Sequence, residues 1–240
     1  SSPYIADGYR TRIKEINEFV KFYDPALKFH GDIYTSNGYV FGNTKTIYGK
    51  INIPQISRNE YIIGESSIEM YSMNGLANLY LNTKSIEKDN FAFEDIKLAI
   101  GAEHDSIGLN LHWGNTTSYN NGFFMLDTKF VPHDNDSAPR IEVNISPSQF
   151  IFGESTWQLG ETNISYDNKE VEIQNLKLSN MNQVLNLKGY ISKDTGKLLS
   201  FMIDNVDIGN INRITEPKGY EFGGILSGSG RVANIYDIPV

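Results

Sequence analysis

The side chains that most often perform catalysis are scattered along this sequence of 240 residues. The four histidines form neither an HExxH motif nor a pair four residues apart on a helix; they are His30, His104, His112 and His133. There is no cysteine, which excludes disulfides, thiolate metal sites and cysteine nucleophiles. No serine has the GxSxG surroundings of a nucleophile elbow. We therefore expect the histidines to be structural or exposed.

Two short segments have the composition of ligand-binding loops. Gly228-Ser229-Gly230 lacks the lysine of a phosphate-binding loop, and no helical pattern follows it, so a strand or turn is expected there. Asp134 and Asp136, with Asn135 between them, offer the oxygen ligands that Ca²⁺ prefers. The segment lacks the later glycine and glutamate of an EF-hand, so we predict an exposed turn.

Paired carboxylates would be needed for glycoside hydrolysis, and they meet only in space. The candidates alternate with apolar residues, as on the solvated face of a strand; they are Glu142, Glu161, Glu170 and Glu172. The sequence therefore shows no catalytic constellation, and we predict a protein that is not an enzyme and uses neither cofactor nor metal.

The elements of the chain are dominated by one apolar pattern that recurs. Its first copy is Val171, Ile173, Leu176 and Leu178, and its second, thirty positions later, is Phe201, Ile203, Val206 and Ile208. A third copy is Phe91, Phe93, Ile96 and Leu98, and a truncated fourth is Ile51, Ile53 and Ile56. In each full copy the alternation slips by one residue, which predicts a strand that bulges while keeping one apolar face.

The remaining pattern predicts one helix followed by strands. Apolar residues spaced by three and four predict a helix over Tyr9–Tyr23, ending before Pro25, which we expect to cap a sheet rather than dock on a membrane. Asn37-Gly38 and Asn74-Gly75 predict hairpin turns, and a further turn is expected at residues 103–105. We therefore divide the chain into a helical segment, residues 1–27, and a β segment, residues 28–240.

Composition limits the classes of partner. The net charge is −8 and the pI is about 5.0, so the positive field that nucleic-acid binding requires is missing. No apolar run approaches the roughly 20 residues that span a bilayer. The chain begins Ser1-Ser2-Pro3 without a methionine, which we interpret as a processed product or a piece of a longer protein.

A long series of strands with one apolar face has two interpretations. Sealed by a second sheet, the face is the core of a β-sandwich; left open, it is an apolar groove that needs a partner such as lipid. The candidate groove residues are the three full copies of the pattern together with Leu185 and Leu187. Periodicity alone does not separate these interpretations.

Several segments resemble the TamB family, the inner-membrane subunit of the translocation and assembly module of Gram-negative bacteria. They are DSIGLNLHWG (residues 105–114), ISPSQFIFGESTWQLG (residues 145–160), VEIQNLKLSNMNQVLNLKGYISKD (residues 171–194), Asn205-Val206-Asp207-Ile208 and the glycine-rich GGILSGSGRVANIYDIP near the end. The resemblance covers roughly residues 45–240 and rests on apolar and turn patterns.

The resemblance implies an all-β fold: an elongated, curled antiparallel sheet forming an open, β-taco-like groove, with a short N-terminal helix. It implies a periplasmic segment of an AsmA-like bridge protein, anchored in the inner membrane by a helix outside this chain. The implied function is transport of phospholipid, through contacts with its acyl chains, towards the outer membrane, together with outer-membrane biogenesis and protein secretion. The implied protein partner is an outer-membrane barrel of the TamA type, contacted by regions outside this chain.

Two other classes of function remain open at this point. One is an extracytoplasmic β-sandwich that binds glycan or protein, with Trp113, Trp157 or tyrosines as surface platforms. The other is a glycoside hydrolase with dispersed carboxylates.

Overall fold

The computed structural model describes residues 10–41, 46–88, 91–114, 120–133, 138–152, 155–215 and 219–233. About 70% of the chain is strand, all of it in one antiparallel sheet of 19 strands, and there is very little helix. The all-β fold with a short N-terminal helix, expected from the sequence, is confirmed. The chain divides into two compact units, residues 1–123 and 124–240.

The described residues of the first unit form one short helix and ten strands before β11 begins. The bounds are β1 Arg12–Ile13, α1 Ile16–Val20, β2 Leu27–Phe29, β3 Ile33–Phe41, β4 Thr46–Ile53, β5 Ile56–Arg58, β6 Tyr61–Ile63, β7 Ser66–Met73, β8 Leu76–Lys88, β9 Phe91–Glu103 and β10 Ser106–Trp113. Strand β11 is Asn120–Val131.

Neighbouring strands of the first unit pair as a meander. β3 pairs with β4, β4 with β7, β7 with β8, β8 with β9 and β9 with β10, all antiparallel. The small hairpin β5–β6 extends β4 and β7 beyond Pro54 and Gly64, because β5 pairs with β6 and β6 pairs with β8. The interruption at Pro54 fits a residue that cannot donate to the ladder.

The predicted turns have mixed outcomes. Asn74 and Gly75 have φ of 51° and 89° and join β7 to β8, so this tight turn is confirmed. His104, with φ of 52°, lies in the expected turn between β9 and β10. The hairpin predicted at Asn37-Gly38 is wrong: both residues lie inside β3, where the register with β4 shifts between Ser36 and Tyr39. A bulge uses the same residue types as a turn.

The second unit is almost entirely antiparallel hairpins. The bounds are β12 Arg140–Ile145, β13 Ser148–Phe152, β14 Ser155–Leu159, β15 Thr162–Asp167, β16 Glu170–Asn180, β17 Gln183–Ile191, β18 Leu198–Asp207, a 3₁₀-helix Ile208–Ile211, α2 Asn212–Thr215 and β19 Ile225–Ala233. β12 pairs with β15 and β13 with β14, forming one long hairpin interrupted near Pro147 and Gly160. β15 to β19 then pair in succession.

The slip in the recurring pattern is a bulge, as predicted. In β16 the register with β17 shifts between Ile173 and Leu176, and in β18 the register with β19 shifts between Ile203 and Val206. In β9, Asp95 takes a left-handed φ of 48° between Phe93 and Ile96. The shift lets apolar side chains on both sides of the slip keep the same face of the sheet.

Asn205 gives a direct test of the bulge in β18. Its φ of 52° lies in the region that asparagine and glycine tolerate and β-branched residues do not. We expect Asn205→Val to lower the free energy of unfolding by about 1–2 kcal/mol and Asn205→Gly to leave it nearly unchanged. Urea denaturation of both variants checks this, and equal stabilities would contradict the bulge.

The N-terminal helix is shorter than predicted. It spans Ile16–Val20 instead of Tyr9–Tyr23. Glu15, with φ of 55°, breaks the helical path, and Arg12 and Ile13 are instead extended and pair with β3. Cross-strand hydrogen bonding therefore overrides the helical spacing in this segment.

Candidate functional site

Apolar side chains of the first unit line up in rows that cross five strands. One row, read from β4 to β10, is Ile51, Ile68, Leu81, Leu98 and Leu111. The neighbouring row on the same face is Gly49, Met70, Leu79, Ile100 and Leu109. Directly opposed residues of antiparallel strands share one face of a sheet, so these rows form a continuous apolar face.

The same face continues towards the bend in β9. Ile96 is buried, and it stands opposite Thr83, whose hydroxyl accepts a hydrogen bond of 2.6 Å from the Ser66 hydroxyl. Beyond the bend, Phe93 meets the edge of Trp113 at 6.0 Å between ring centroids. Phe91 pairs with Lys88 through the backbone, and its side chain lies outside the described residues. The structure thus brings Ile96 and Leu98 into one face and Phe93 against Trp113.

The second unit has its own rows, which contain most of the remaining predicted groove residues. They are Val143, Ile164, Ile173, Gly189 and Leu199; Ile141, Tyr166, Val171 and Ile191; Leu176, Leu187, Phe201 and Gly230; and Leu178, Leu185, Ile203 and Gly228. Val206 stands opposite Leu226 beyond the bulge. Ile208 departs from the expected strand, because it begins the 3₁₀-helix after β18.

These apolar faces are not buried as a sandwich core would be. Among the described hydrophobic residues, only Ile96, Ile145, Trp157 and Ile173 are buried. Row members such as Ile51, Met70 and Phe201 remain 39%, 41% and 38% exposed. A face sealed by a second sheet would bury such side chains almost completely. In each unit the apolar face is therefore partly open to solvent.

Two glycines leave open space above the apolar faces. A Cβ added at Gly49 or at Gly228 would have no atom within 4 Å. Gly230 differs, because its Cβ would lie 2.6 Å from the Phe201 ring, which packs over it. The sequence shows glycines here but gives no sign of which ones are covered, since that depends on the cross-strand neighbour.

The opposite face of the sheet is polar and held by side-chain hydrogen bonds across strands. The Asn144 amide donates to Asn163 at 2.9 Å, and the Asn186 amide donates to Asn175 at 2.7 Å. Such pairs connect neighbouring strands, so they fix the register of the sheet. On the apolar face of the first unit, Ser66 and Thr83 make a comparable hydroxyl contact next to Ile96.

The four candidate carboxylates all lie on this polar face and have structural partners. Glu142 pairs with Arg140, and Glu161 accepts from the Asn144 amide at 3.5 Å. Glu172 accepts a 3.0 Å hydrogen bond from the Tyr190 hydroxyl, and Glu170 accepts one of 2.6 Å from the Ser192 hydroxyl and binds Lys197. Hydrogen bonding to Glu172 raises the pKa of Tyr190. Glu172 thus joins β16 to β17, whereas Glu142 and Arg140 both belong to β12. All four carboxylates alternate with apolar residues because they lie on the polar face.

Glu170 makes the stability of the second unit depend on pH in the acid range. The hydrogen bonds from Lys197 and Ser192 hold the pKa of Glu170 below its ordinary value of 4.5, since both favour the charged form. Its stabilising contribution is therefore complete above pH 4.5 and is lost as the pH falls through the lower folded-state pKa. We expect Glu170→Gln to flatten the fall of Tm in this acid range, with Glu161→Gln as the control. Parallel Tm curves for wild type and Glu170→Gln would contradict this.

The four histidines lie in four different surroundings. His30 contacts the Ser57 hydroxyl at 2.8 Å, His133 contacts Asp167 at 3.1 Å, and His112 stacks on Phe123 at 6.0 Å. His104 is exposed in its turn. No group of three or more His, Asp or Glu side chains that could hold a metal occurs within the described ranges. Asp134, Asn135 and Asp136 lie outside the described residues.

A polar cavity of about 430 Å³ lies where the strands of the first unit bend. Its lining includes Asp32, Glu65 and Asp95. Asp32 binds Arg12 and Glu65 binds Lys84, at 2.5 and 2.6 Å, so two of these carboxylates are held in ion pairs. These ion pairs give Asp32 and Glu65 a structural role at the cavity.

The aromatic platforms expected for glycan binding are only partly present. Trp157 is 7% exposed and stands opposite Phe150, and Trp113 contacts Phe93 on the apolar side. Neither tryptophan therefore offers a free platform. Tyr34 and Tyr80 are 51% and 44% exposed, and the register places both on the polar face.

Comparison of the chain with models of protein families, with curated proteins and with solved structures finds no match. Within the part of the chain that the structure describes, no helix has the length and apolar composition to cross a membrane.

Proposed function

We propose that this chain is a non-enzymatic segment of a TamB-like protein whose apolar faces hold phospholipid acyl chains. The observation that carries the proposal is that apolar rows cross several strands in register and yet remain partly exposed, as at Ile51 and Phe201. A partly open apolar face of this extent needs a partner that is itself apolar.

The physical basis is the burial of methylene groups. Each methylene that leaves water for an apolar wall contributes about 0.8 kcal/mol, so a single acyl chain lying along the rows is strongly retained. The rows run across the strands, and successive strands lie about 4.8 Å apart. Because each strand offers a similar apolar contact, a sliding acyl chain is not held at one position. Headgroups stay in water at the open side, and movement is passive.

The cellular setting belongs to the same proposal and rests on the resemblance to the TamB family. It is the periplasm, with transport of phospholipid towards the outer membrane and a role in outer-membrane biogenesis. The full-length protein is anchored in the inner membrane and meets a barrel protein of the TamA type through regions outside this chain. The charge of −8 supports the exclusion of nucleic acid as a partner.

Lipid content tests the function directly. Native mass spectrometry and solvent extraction of freshly purified protein should find phospholipid, and delipidated protein should take up labelled phospholipid from vesicles. As a control, a soluble headgroup analogue that lacks acyl chains should not be retained by the protein, because it brings no methylene groups to the apolar faces. Protein that is free of lipid and takes none up would overturn the proposal.

A second candidate is binding of glycan through the polar face, favoured by the exposure of Tyr34 and Tyr80. Glycan-array binding that is lost in Tyr34→Ala/Tyr80→Ala would support it. Glycan binding that survives this double substitution would rule out this second candidate.

A further inference from the structure

Three exposed aromatic side chains belong to the short helix α1 and the turn that follows it. Phe19, Phe22 and Tyr23, which we call the aromatic tip, are 64%, 80% and 79% exposed. The rings of Phe19 and Tyr23 contact each other with centroids 5.4 Å apart, and the Lys21 ammonium lies 5.9 Å from the Phe22 ring centroid. Large aromatic side chains grouped at such exposure mark a surface that binds something.

The aromatic tip is held firmly although its rings are exposed. The side-chain amide of Asn17 donates to the Phe29 carbonyl and its oxygen accepts from the Phe29 amide, both at 2.7 Å, so α1 is attached to β2. On the other side, Asp24 accepts a 2.6 Å hydrogen bond from Arg58 of β5. The predicted role of this helix as a cap on the sheet does not account for rings that point into solvent.

The charge around the aromatic tip is opposite to that of the whole chain. Residues 10–28 contain five basic and three acidic side chains, a net charge of +2, against −8 for the chain. Lys21 binds Glu18, and Arg12 binds Asp32. Arg10, Lys14 and Lys28 are exposed and form no ion pair among the described residues. Glu15 is also exposed and forms no ion pair among the described residues, so the unpaired side chains of residues 10–28 carry a net charge of +2.

We propose that the aromatic tip docks the protein on the surface of a bilayer that contains anionic phospholipid. Phenylalanine rings enter the boundary between headgroups and acyl chains, and tyrosine keeps its hydroxyl at the wet side. The nearby lysine and arginine side chains favour anionic headgroups. The charge distribution favours a lipid surface over an apolar protein groove, and the inference concerns membrane contact, so it does not depend on lipid binding to the apolar faces.

Vesicle co-sedimentation of the full chain tests the docking. We expect binding to vesicles of phosphatidylcholine mixed with phosphatidylglycerol, weaker binding to phosphatidylcholine alone, and further weakening as salt is raised. Replacing all three rings, in Phe19→Ser/Phe22→Ser/Tyr23→Ser, should lower partition onto the mixed vesicles at least about tenfold. The control is Tyr220→Ser, which removes from the second unit an aromatic ring that is as exposed as that of Phe19, at 64%, and should leave partition unchanged.

The remaining outcomes each decide the question. If the triple variant is unstable, Phe22→Ser alone should still lower partition, because Phe22 is the most exposed of the three rings. Partition that survives loss of the tip overturns the proposal, as does a tip-dependent dimer in analytical ultracentrifugation without vesicle binding. Lipid carried by the purified triple variant, measured by native mass spectrometry, should equal that of wild type. A fall in carried lipid without a fall in vesicle binding would mean that the substitutions affect the apolar faces. The docking inference would still be decided by vesicle binding.

Discussion

Leu187→Asp should leave the sheet folded and remove the phospholipid that the protein carries. Leu187 stands between Leu176 and Phe201 in a row that stays partly exposed, so a carboxylate there reaches water and the fold tolerates it. An acyl chain lying on the same row would have to desolvate the charge, at a cost of several kcal/mol. We expect lipid recovered with the protein, and photo-crosslinked lipid at neighbouring positions, to fall at least about tenfold. Ile203→Asp should behave in the same way.

Ile173→Asp is the matched control for this result. Ile173 belongs to a neighbouring row of the same unit but is 6% exposed, so the new charge cannot reach water. We expect this variant to lose more than about 3 kcal/mol of unfolding free energy. Thermal denaturation of both variants, alongside lipid analysis, separates the two interpretations. If Leu187→Asp unfolds like Ile173→Asp, its row is a sealed core and the proposed function fails for this unit.

Gly49→Trp should block the apolar face of the first unit without disturbing the sheet. No atom lies within 4 Å of a Cβ placed there, and Gly49 is flanked in its row by Met70. A larger residue also improves strand propensity, so we expect unfolding free energy to change by less than about 1 kcal/mol. The indole ring would occupy the space over the row. Lipid crosslinked to a photoreactive residue at Ile68 should therefore fall at least about fivefold, given the apolar contact that is displaced.

Gly101→Trp is the control for this steric block. Gly101 lies on the polar face, and its added Cβ would make only ordinary contact, at 3.4 Å, with the side-chain oxygen of Asn78. It should leave lipid crosslinking at Ile68 unchanged. Equal crosslinking in the two variants would place the acyl chains elsewhere.

The sequence was informative wherever spacing along one strand carries the structure. The one-residue slip in the apolar pattern predicted the bulges beside Ile173 and Ile203, because period-two alternation leaves no other way to keep one face apolar. Asn74-Gly75 predicted its turn for a similarly local reason. Asn37-Gly38 was misread, because the residue types of a tight turn also occur where a register shifts within a strand.

Features that depend on the neighbouring strand could not be predicted from spacing. Whether Gly228 is open while Gly230 lies under the Phe201 ring depends on which residues stand opposite. The burial of Trp157 against Phe150 depends on the pairing of β13 with β14 inside a longer hairpin. The exposure of Phe22 follows from Asn17 attaching a shortened helix to β2, a contact between residues twelve positions apart.

The hairpin connectivity has a consequence for how the chain folds. From β7 to β10 and from β15 to β19, each strand pairs with the one that precedes it in the chain. Contacts between near neighbours in sequence cost little loop-closure entropy, so they form early. Within each of these stretches, a strand that has just emerged from a ribosome or a translocon meets a partner that is already in place. Each stretch can therefore assemble vectorially, one strand at a time, without waiting for the end of the chain.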